Sequence, residues 1–380
     1  VRVLHVDTER TWRGGEQQLL YLLEGLAGRG LPAVLAAQPG SPVLERARAA
    51  GFEGRDLPAK GEADPCAAWR LARLLRRERF DLVHAHTAHG HGIALAARFF
   101  LGRRARPKLV VARRVDFSIH RHGLFGLNGL KYRGADRIVA VSAAVRAVLE
   151  RDGVPADRIV VVRDGISLAR FEGAAAPRAA ELRRALGALA QEPLVVNVGH
   201  LARHKGQRYL IEALPSVRAV IPGVRAAIVG DGPLRADLEA AARRAGVEDA
   251  LFFAGARPPE EVAAILCAAD VFAFPSVEEG LGSSLLDAMA AGAPIAAARA
   301  GGIPEIVRDG ETGLLVEPAD PAALAQAIVR LLLDRPLAAR ISRAARDWVR
   351  ANGTAERMVR ETIAVYEDVL GGRLRRGSGR

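Results

Sequence analysis

Residues 277–291 read VEEGLGSSLLDAMAA, and the rest of the chain is best understood outward from them. They follow the apolar run 271–274, VFAF, which is closed by Pro275-Ser276 and reads as a buried strand. Glu279 is followed by Gly280, Leu281 and Gly282, and then by a helix that opens near Ser283 and carries Asp287, eight positions after Glu279. Glycines ahead of a helix let backbone N–H groups approach an anion, and the helix N-terminus favours negative charge. A carboxylate just ahead of such a pocket is poorly suited to bind phosphate. It is well suited to accept hydrogen bonds from the hydroxyls of a sugar or ribose. The segment therefore reads as a cradle for a nucleotide sugar. The plainer alternative is an ordinary β-turn-α connection with a capping serine, but that leaves the acid, the glycines and the helix start together unexplained.

Composition limits what surrounds this cradle. A chain of 380 residues, half of them hydrophobic, has material for two cores. No run of eighteen apolar residues occurs, so no transmembrane helix is expected, and the opening VRVLHVD reads as a buried strand, not a signal peptide. Cys66 and Cys267 fit no metal or redox spacing and read as buried thiols in a reducing cytosol. The net charge of +12 is unevenly placed: residues 1–170 hold 29 Lys+Arg against 17 Asp+Glu, whereas residues 171–380 hold 26 of each. Such an excess points to nucleic acid, an anionic membrane or an acidic substrate. No recognisable nucleic-acid module accompanies it, so nucleic acid is not an expected partner.

Strands alternate with helices on both sides of an Ala/Pro/Gly-rich join at 173–177. In the first half, strands are expected at 1–6, 31–37, 82–86, 109–112, 137–141 and 159–162, with helices at 17–28, 42–50, 65–79 and 143–151. In the second, strands are expected at 194–198, 226–229, 251–253, 271–274, 295–297 and 314–316, with helices at 209–220, 235–245, 259–268 and 284–291. This alternation implies an α/β protein with parallel, doubly wound sheets. The domains are drawn at 1–172 and 178–353, followed by an amphipathic helix at 355–370 and a disordered tail at 371–380.

A second motif, VNVGHLARHKGQRYL, places Gly199 at a strand end and Arg203 and Lys205 on the loop before a helix. Two fixed cations there match a leaving diphosphate. With Glu279 and Asp287 at their spacing, the chain resembles the retaining family-4 glycosyltransferases, whose signature is Glu-x7-Glu; aspartate stands here in the second place. The likeness runs over roughly residues 3–368. It implies the GT-B fold, in which two Rossmann-like domains face a cleft and the last helix crosses back to the first domain. It also implies a retaining transfer of a sugar from a nucleotide-diphosphate sugar to an acceptor, such as a lipid-linked or cell-envelope glycan precursor.

By the same resemblance Glu279 meets the donor sugar, Asp287 meets the ribose, and Arg203 and Lys205 meet the phosphates. These three, Glu279, Arg203 and Lys205, are the expected catalytic groups. Many relatives carry arginine where this chain has His200, and Arg203 is expected to supply that charge. TWRGGEQQ resembles the family's glycine loop, with Gly14 and Gly15 approaching the ligand, and FAGARPPEEV resembles the stretch that holds the base around Ala256 and Arg257. Gly199, Gly280, Leu281, Gly282 and Ser283 complete the donor set. VVARRVDF has Arg113, Arg114 and Asp116 where relatives place a histidine near the sugar, so these are sugar or acceptor contacts, or else a surface pair of arginines. HAHTAHGHG offers His86 as a residue lining the cleft, or else only satisfied histidines at a strand end. Its four histidines lack interleaved Cys or acid, and Asp-x-Asp is absent, so neither metal nor other cofactor is expected.

Two further readings remain at this point: a GT-B-type sugar-nucleotide epimerase, and a basic non-catalytic or nucleic-acid-binding protein. The expected setting is the cytoplasm, with the basic half meeting an anionic acceptor or the inner face of the membrane. The arginines of 65–79 and the mixed segment 117–132 are the groups expected to do so.

Overall fold

The computed structural model describes residues 1–102, 105–120, 127–172 and 179–372. They form two compact units: unit 1 contains Val1–Gly165 and the segment from Ala355 onward, and unit 2 contains Ile166–Thr354. The join at 173–177, the tail beyond 372, and Arg121, Leu124 and Phe125 lie outside the described residues.

Unit 1 holds a seven-stranded parallel sheet built from β1 (Val3–Val6), β2 (Ala33–Ala37), β3 (Glu53–Asp56), β4 (Leu82–Ala85), β5 (Lys108–Arg113), β6 (Arg137–Ala140) and β7 (Ile159–Val161). Between them run α1 (Gly14–Ala27), α2 (Pro42–Ala49), α3 (Pro65–Glu78), α4 (Ala88–Phe99), α5 (Leu127–Arg133) and α6 (Ala143–Arg151). The strand order is β3-β2-β1-β4-β5-β6-β7, with Val3 in register with both Ala33 and Leu82. β1 and β4 are buried along their whole lengths, as strands covered by helices on both faces must be. β3, EGRD, is different: it is an edge strand, polar and partly exposed, and no apolar run announced it.

Unit 2 repeats the plan with α7 (Ala179–Ala185), β8 (Leu194–Val198), α8 (Gln207–Val220), β9 (Arg225–Val229), α9 (Arg235–Arg244), β10 (Leu251–Gly255), α10 (Pro259–Cys267), β11 (Val271–Phe274), α11 (Ser283–Ala291), β12 (Ile295–Ala298), β13 (Leu314–Val316), α12 (Pro321–Leu333) and α13 (Arg335–Asn352). Its six strands run in the order β10-β9-β8-β11-β12-β13. The order reverses between β8 and β11, and the crevice beyond the carboxyl ends of strands at such a reversal is where open α/β sheets bind ligands. The core beneath it joins Val195, Leu210, Leu214, Ile228, Val271 and Ile328.

The helix α14 (Ala355–Val369) belongs to unit 1 and packs on α1. Met358, Val359, Val365 and Tyr366 join Tyr21, Leu22 and Leu26 in one core. The approach is close at Gly25, where a Cβ would lie 2.5 Å from a Val359 methyl group. Residues 166–172, which composition assigned to the first half, pack within unit 2: Ile166 N–H donates to Gly353 O, and Arg170 reaches Pro259 O. Among the described residues no helix is long and apolar enough to cross a membrane.

Candidate functional site

The loops after β8 and β11 are joined at several points. Gly206 closes a 3-10 turn at Arg203–Lys205 and opens α8 with φ 65°; a Cβ there would lie 2.0 Å from Pro275 O, so only glycine fits. Val277 N–H donates to His204 O at 2.8 Å, and Asn197 Nδ2 donates to Ala273 O at 2.9 Å. The loop after β9 comes equally close. Gly230 packs against the carbonyl of Gly199, and Gly232 against the backbone of Leu201. These glycines set the backbone positions of the cation loop. In the sequence this loop is only VGDGP, residues 229–233, because close backbone packing leaves no mark beyond the glycines themselves.

This framework brings Lys205 and Glu279 together. Lys205 Nζ donates to Glu279 Oε2 at 2.6 Å, and Ser276 Oγ donates to the same oxygen at 3.2 Å. The two charged side chains are 21% and 10% exposed, so the pair lies in a shielded place. The main chain of Glu279 is held as well, its carbonyl accepting from Gly302 N–H at 2.9 Å. Gly280, Leu281 and Gly282 follow, all buried. Gly282 has φ 93° and ends as the N-cap of α11, giving the helix no side-chain cap. The first-turn amides, beginning at Ser283, are therefore oriented as an anion site. Arg203 stands exposed on the cation turn, beside Lys205 in sequence.

Asp287 lies one turn and more into α11 and is largely buried. Burial pushes its carboxyl up to about 6, although the neighbouring Arg170 guanidinium works in the opposite direction. Arg170 Nη1 donates to Asp287 Oδ1 at 3.1 Å and Nη2 donates to Pro259 O at 2.7 Å. Asp287 thus already has a cationic partner, which the expectation of a ribose contact did not include. Ala256 and Arg257 are exposed at the carboxyl end of β10; Arg257 Nε donates to Ala254 O and its side chain lies 3.5 Å from Glu261.

In unit 1 the structure places several of the expected contact residues against other parts of the same unit. Gly14 and Gly15 are not a loop but the first turn of α1, because Glu16 reaches back to accept from Arg13 N–H at 2.7 Å. Arg114 lies beside Gly15, where a Cβ would be in ordinary contact with it at 3.5 Å, and forms an ion pair with Asp164. Arg113 is buried and not part of a surface pair, donating to Tyr132 Oη at 3.3 Å and Phe117 O at 2.5 Å within unit 1. Phe117 is half-buried under Arg113, and Lys131 is buried against Glu62, which removes both from the expected headgroup-facing set. Asp116 sits half-buried on the loop after β5.

His86 is also internal. Its Nε2 lies 2.9 Å from Nδ1 of His5, while Nδ1 of His84 lies 2.6 Å from Tyr366 Oη. Burial holds His84 and His86 well below the usual imidazole range and lowers His5 to about 3, so all three are neutral. One ring nitrogen from each lies within 4.8 Å of the others. Tetrahedral zinc with Zn–N near 2.0–2.1 Å needs ligand nitrogens roughly 3.3 Å apart. The observed hydrogen bonds and stacked rings describe the cluster better. At the end of β1, Asp7 is buried and raised to about 7, chiefly by burial and then by Glu16.

Comparison with known proteins bears on the family and the fold. Residues 12–170 match the family model described as Glycosyltransferase Family 4, and residues 179–348 match that of Glycosyl transferases group 1. The chain is 37% identical over 361 residues to a GDP-mannose-dependent alpha-(1-6)-phosphatidylinositol monomannoside mannosyltransferase of Mycobacterium tuberculosis, covering 89% of this chain and 91% of that enzyme. It is 36% identical over 243 residues to the 2-deoxystreptamine glucosyltransferase of Streptomyces kanamyceticus; that match spans 63% of this chain and 62% of the relative's length. Among solved structures, Anabaena Alr3699/HepE in complex with UDP-glucose superposes with a TM-score of 0.84 at 22% identity, over 97% of this chain and 99% of the other. WaaG, a glycosyltransferase involved in lipopolysaccharide biosynthesis, gives 0.72 at 18% identity over 98% and 100%. At these identities the structural likeness speaks for the fold.

Proposed function

The chain belongs to glycosyltransferase family 4 and is a glycosyltransferase with the GT-B fold, and from that premise we propose that it works with retention, using Glu279, Lys205 and Arg203 on a nucleotide-diphosphate sugar. One observation carries this reading: the Lys205–Glu279 pair lies beside the uncapped start of α11, at the reversal of the unit 2 sheet.

In this reading the diphosphate lies against the amides following Gly282. Lys205 has three N–H groups and bridges Glu279 and a phosphate oxygen at once, with Arg203 adding charge from the same turn. Glu279 accepts from donor hydroxyls. Asp287 shares the ribose with Arg170. Ala256 and Arg257 lie beside the base. As the C1–O bond to phosphate breaks, charge grows on the leaving oxygen, and the fixed cations and helix amides stabilise it. The acceptor oxygen bonds to C1 on the same face, and its proton passes to the departing phosphate. No protein base is required for that step, and no metal is assigned to it.

The acceptor is proposed to be anionic or lipid-linked. Supporting this are the charge excess of residues 1–170 and the phosphatidylinositol mannoside substrate in the name of the mycobacterial relative. A cytoplasmic setting is supported by the two free thiols, Cys66 and Cys267, although Cys66 is exposed and Cys267 half-buried where both were expected to be buried.

The test is a mass-spectrometric panel of UDP-, GDP- and ADP-sugars, with GDP-mannose as the first arm, and anomeric NMR of the product. A glycosylated acceptor with the donor's anomeric configuration is expected, with or without chelator present. Inversion at C1, or strict dependence on a divalent ion, would overturn the mechanism. Isomerisation of a donor incubated alone would favour the epimerase.

A further inference from the structure

We propose that the outer face of α3, together with the end of α4, docks the protein onto an anionic phospholipid bilayer. Among the described residues, four Trp or Phe side chains are exposed, and three of them lie on α3 or at the end of α4: Trp69 at 54%, Phe99 at 74% and Phe100 at 49%. α3 packs against α4, burying Ala67, Ala68, Leu71, Ala72 and Leu75. That leaves Trp69, Arg73, Arg76 and Arg77 on the opposite, exposed stripe, at helical spacing i, i+4, i+7 and i+8. Arg76 donates to Phe100 O at 3.0 Å, which ties this stripe to the end of α4.

Guanidinium groups and rings are interleaved across the face. Arg73 lies 5.7 Å from the Trp69 ring, and Arg106 lies 6.0 Å from that of Phe99. Among the described residues, Arg70, Arg73, Arg76 and Arg106 have no carboxylate within ion-pair distance. The acids at the two ends of α3 are already engaged. Asp64 caps the amides of Cys66 and Ala67, and Glu78 is held by Arg2, Arg55 and Arg77.

Exposed aromatic rings are poorly matched to bulk water, whereas the guanidinium groups beside them are hydrated but lack a fixed counter-charge. They suit the headgroup boundary of an anionic bilayer, where the rings enter the acyl edge and the guanidinium groups meet phosphate. None of the donor-site residues belongs to this face, so the inference stands or fails separately from the chemistry at Glu279.

The test is co-sedimentation of the full chain with vesicles of phosphatidylcholine, alone or mixed with phosphatidylglycerol. Binding is expected only with the mixed vesicles, and it should weaken as salt rises. Losing one arginine should weaken partition about fivefold, so Arg73→Glu, Arg76→Glu and Arg77→Glu together should weaken it by at least about a hundredfold. Trp69→Ala, Phe99→Ala and Phe100→Ala, which leave the charge unchanged, should also reduce it. In the unaltered chain, Trp69 emission should shift to the blue on adding mixed vesicles, and Trp69→Phe should lose that shift. Equal recovery with both vesicle types, no binding at low salt, no effect of the aromatic changes, or preference for single-stranded nucleic acid over vesicles would each overturn the proposal.

Discussion

Replacing Lys205 by alanine separates two jobs that the structure assigns to one ammonium group. In the absence of donor, Lys205 neutralises Glu279 across 2.6 Å, in a place where the two side chains are only 21% and 10% exposed. A hydrogen bond to a charged group contributes about 1.5–3 kcal/mol, and a partly buried carboxylate that loses its cation bears much of that loss. For a unit of this size, about 1 kcal/mol corresponds to roughly 2–4 °C, so the unit 2 transition should fall by about 3–12 °C. If Lys205 also holds the diphosphate, calorimetry with free UDP or GDP should show about ten- to hundredfold weaker binding. The double variant Lys205→Ala/Glu279→Gln separates the two effects. Removing the stranded charge should restore most of the melting temperature and leave diphosphate affinity low. Unchanged diphosphate affinity in folded Lys205→Ala would refute the phosphate role. Recovery of affinity in the double variant would show that Lys205 serves only to neutralise Glu279.

Other outcomes follow from the same geometry. Glu279→Ala should nearly abolish transfer in a folded protein and exceed the loss in Asp287→Ala, because ribose lies farther from the reacting bond; steady-state kcat/KM for the two variants decides it. Gly206→Ala, with a Cβ 2.0 Å from Pro275 O, should lose folded unit 2, whereas Gly310→Ala, with φ 72° and nothing within 4 Å, should cost only about 1–2 kcal/mol by denaturant titration. Asp7 holds its proton more tightly folded than unfolded, about 7 against 3.8. Its contribution is therefore fully present below about pH 4 and is lost as pH rises towards 7. Asp7→Asn should accordingly melt above the unaltered chain at pH 8, with the gap closing near pH 4; a gap independent of pH would contradict the buried, protonated carboxyl.

The parts of the fold that were legible in the sequence were those whose burial shows in residue type. VFAF in β11 and LVVNV in β8 are covered on both faces, so each reads as an uninterrupted apolar run. β3 lies at a sheet edge and uses EGRD, which no such rule detects. α4 begins AHGHG, so its helical character was hidden behind its histidines and glycines. At the site, residue type and spacing singled out Glu279, Lys205 and Arg203. They did not show that Lys205 and Glu279 touch, because nothing local states that β8 and β11 are neighbours. Arg170 bonds to Asp287 from 117 positions away, which is beyond any motif. Arg113 was expected at a ligand because it stands where the family places a histidine, and His86 because it ends a strand; both side chains are internal, bonded to Tyr132 and to His5, although Arg113 Nε and His86 Nδ1 have no partner among the described residues.

The placement of α14 has a consequence for how the protein matures. The chain leaves unit 1 at Gly165 and returns to it at Ala355, so unit 2 is an insertion within unit 1. Roughly 190 residues separate the two parts, which at about 5–20 residues per second of translation is a delay of about 10–40 s. During that interval Tyr21, Leu22 and Leu26 on α1 lack Met358, Val359 and Tyr366, the residues that cover them in the finished core. Unit 2 has all its own strands and helices before α14 is made. The unit synthesised first is therefore the one completed last, and its uncovered α1 face is where a nascent chain of this protein is most exposed to misassembly.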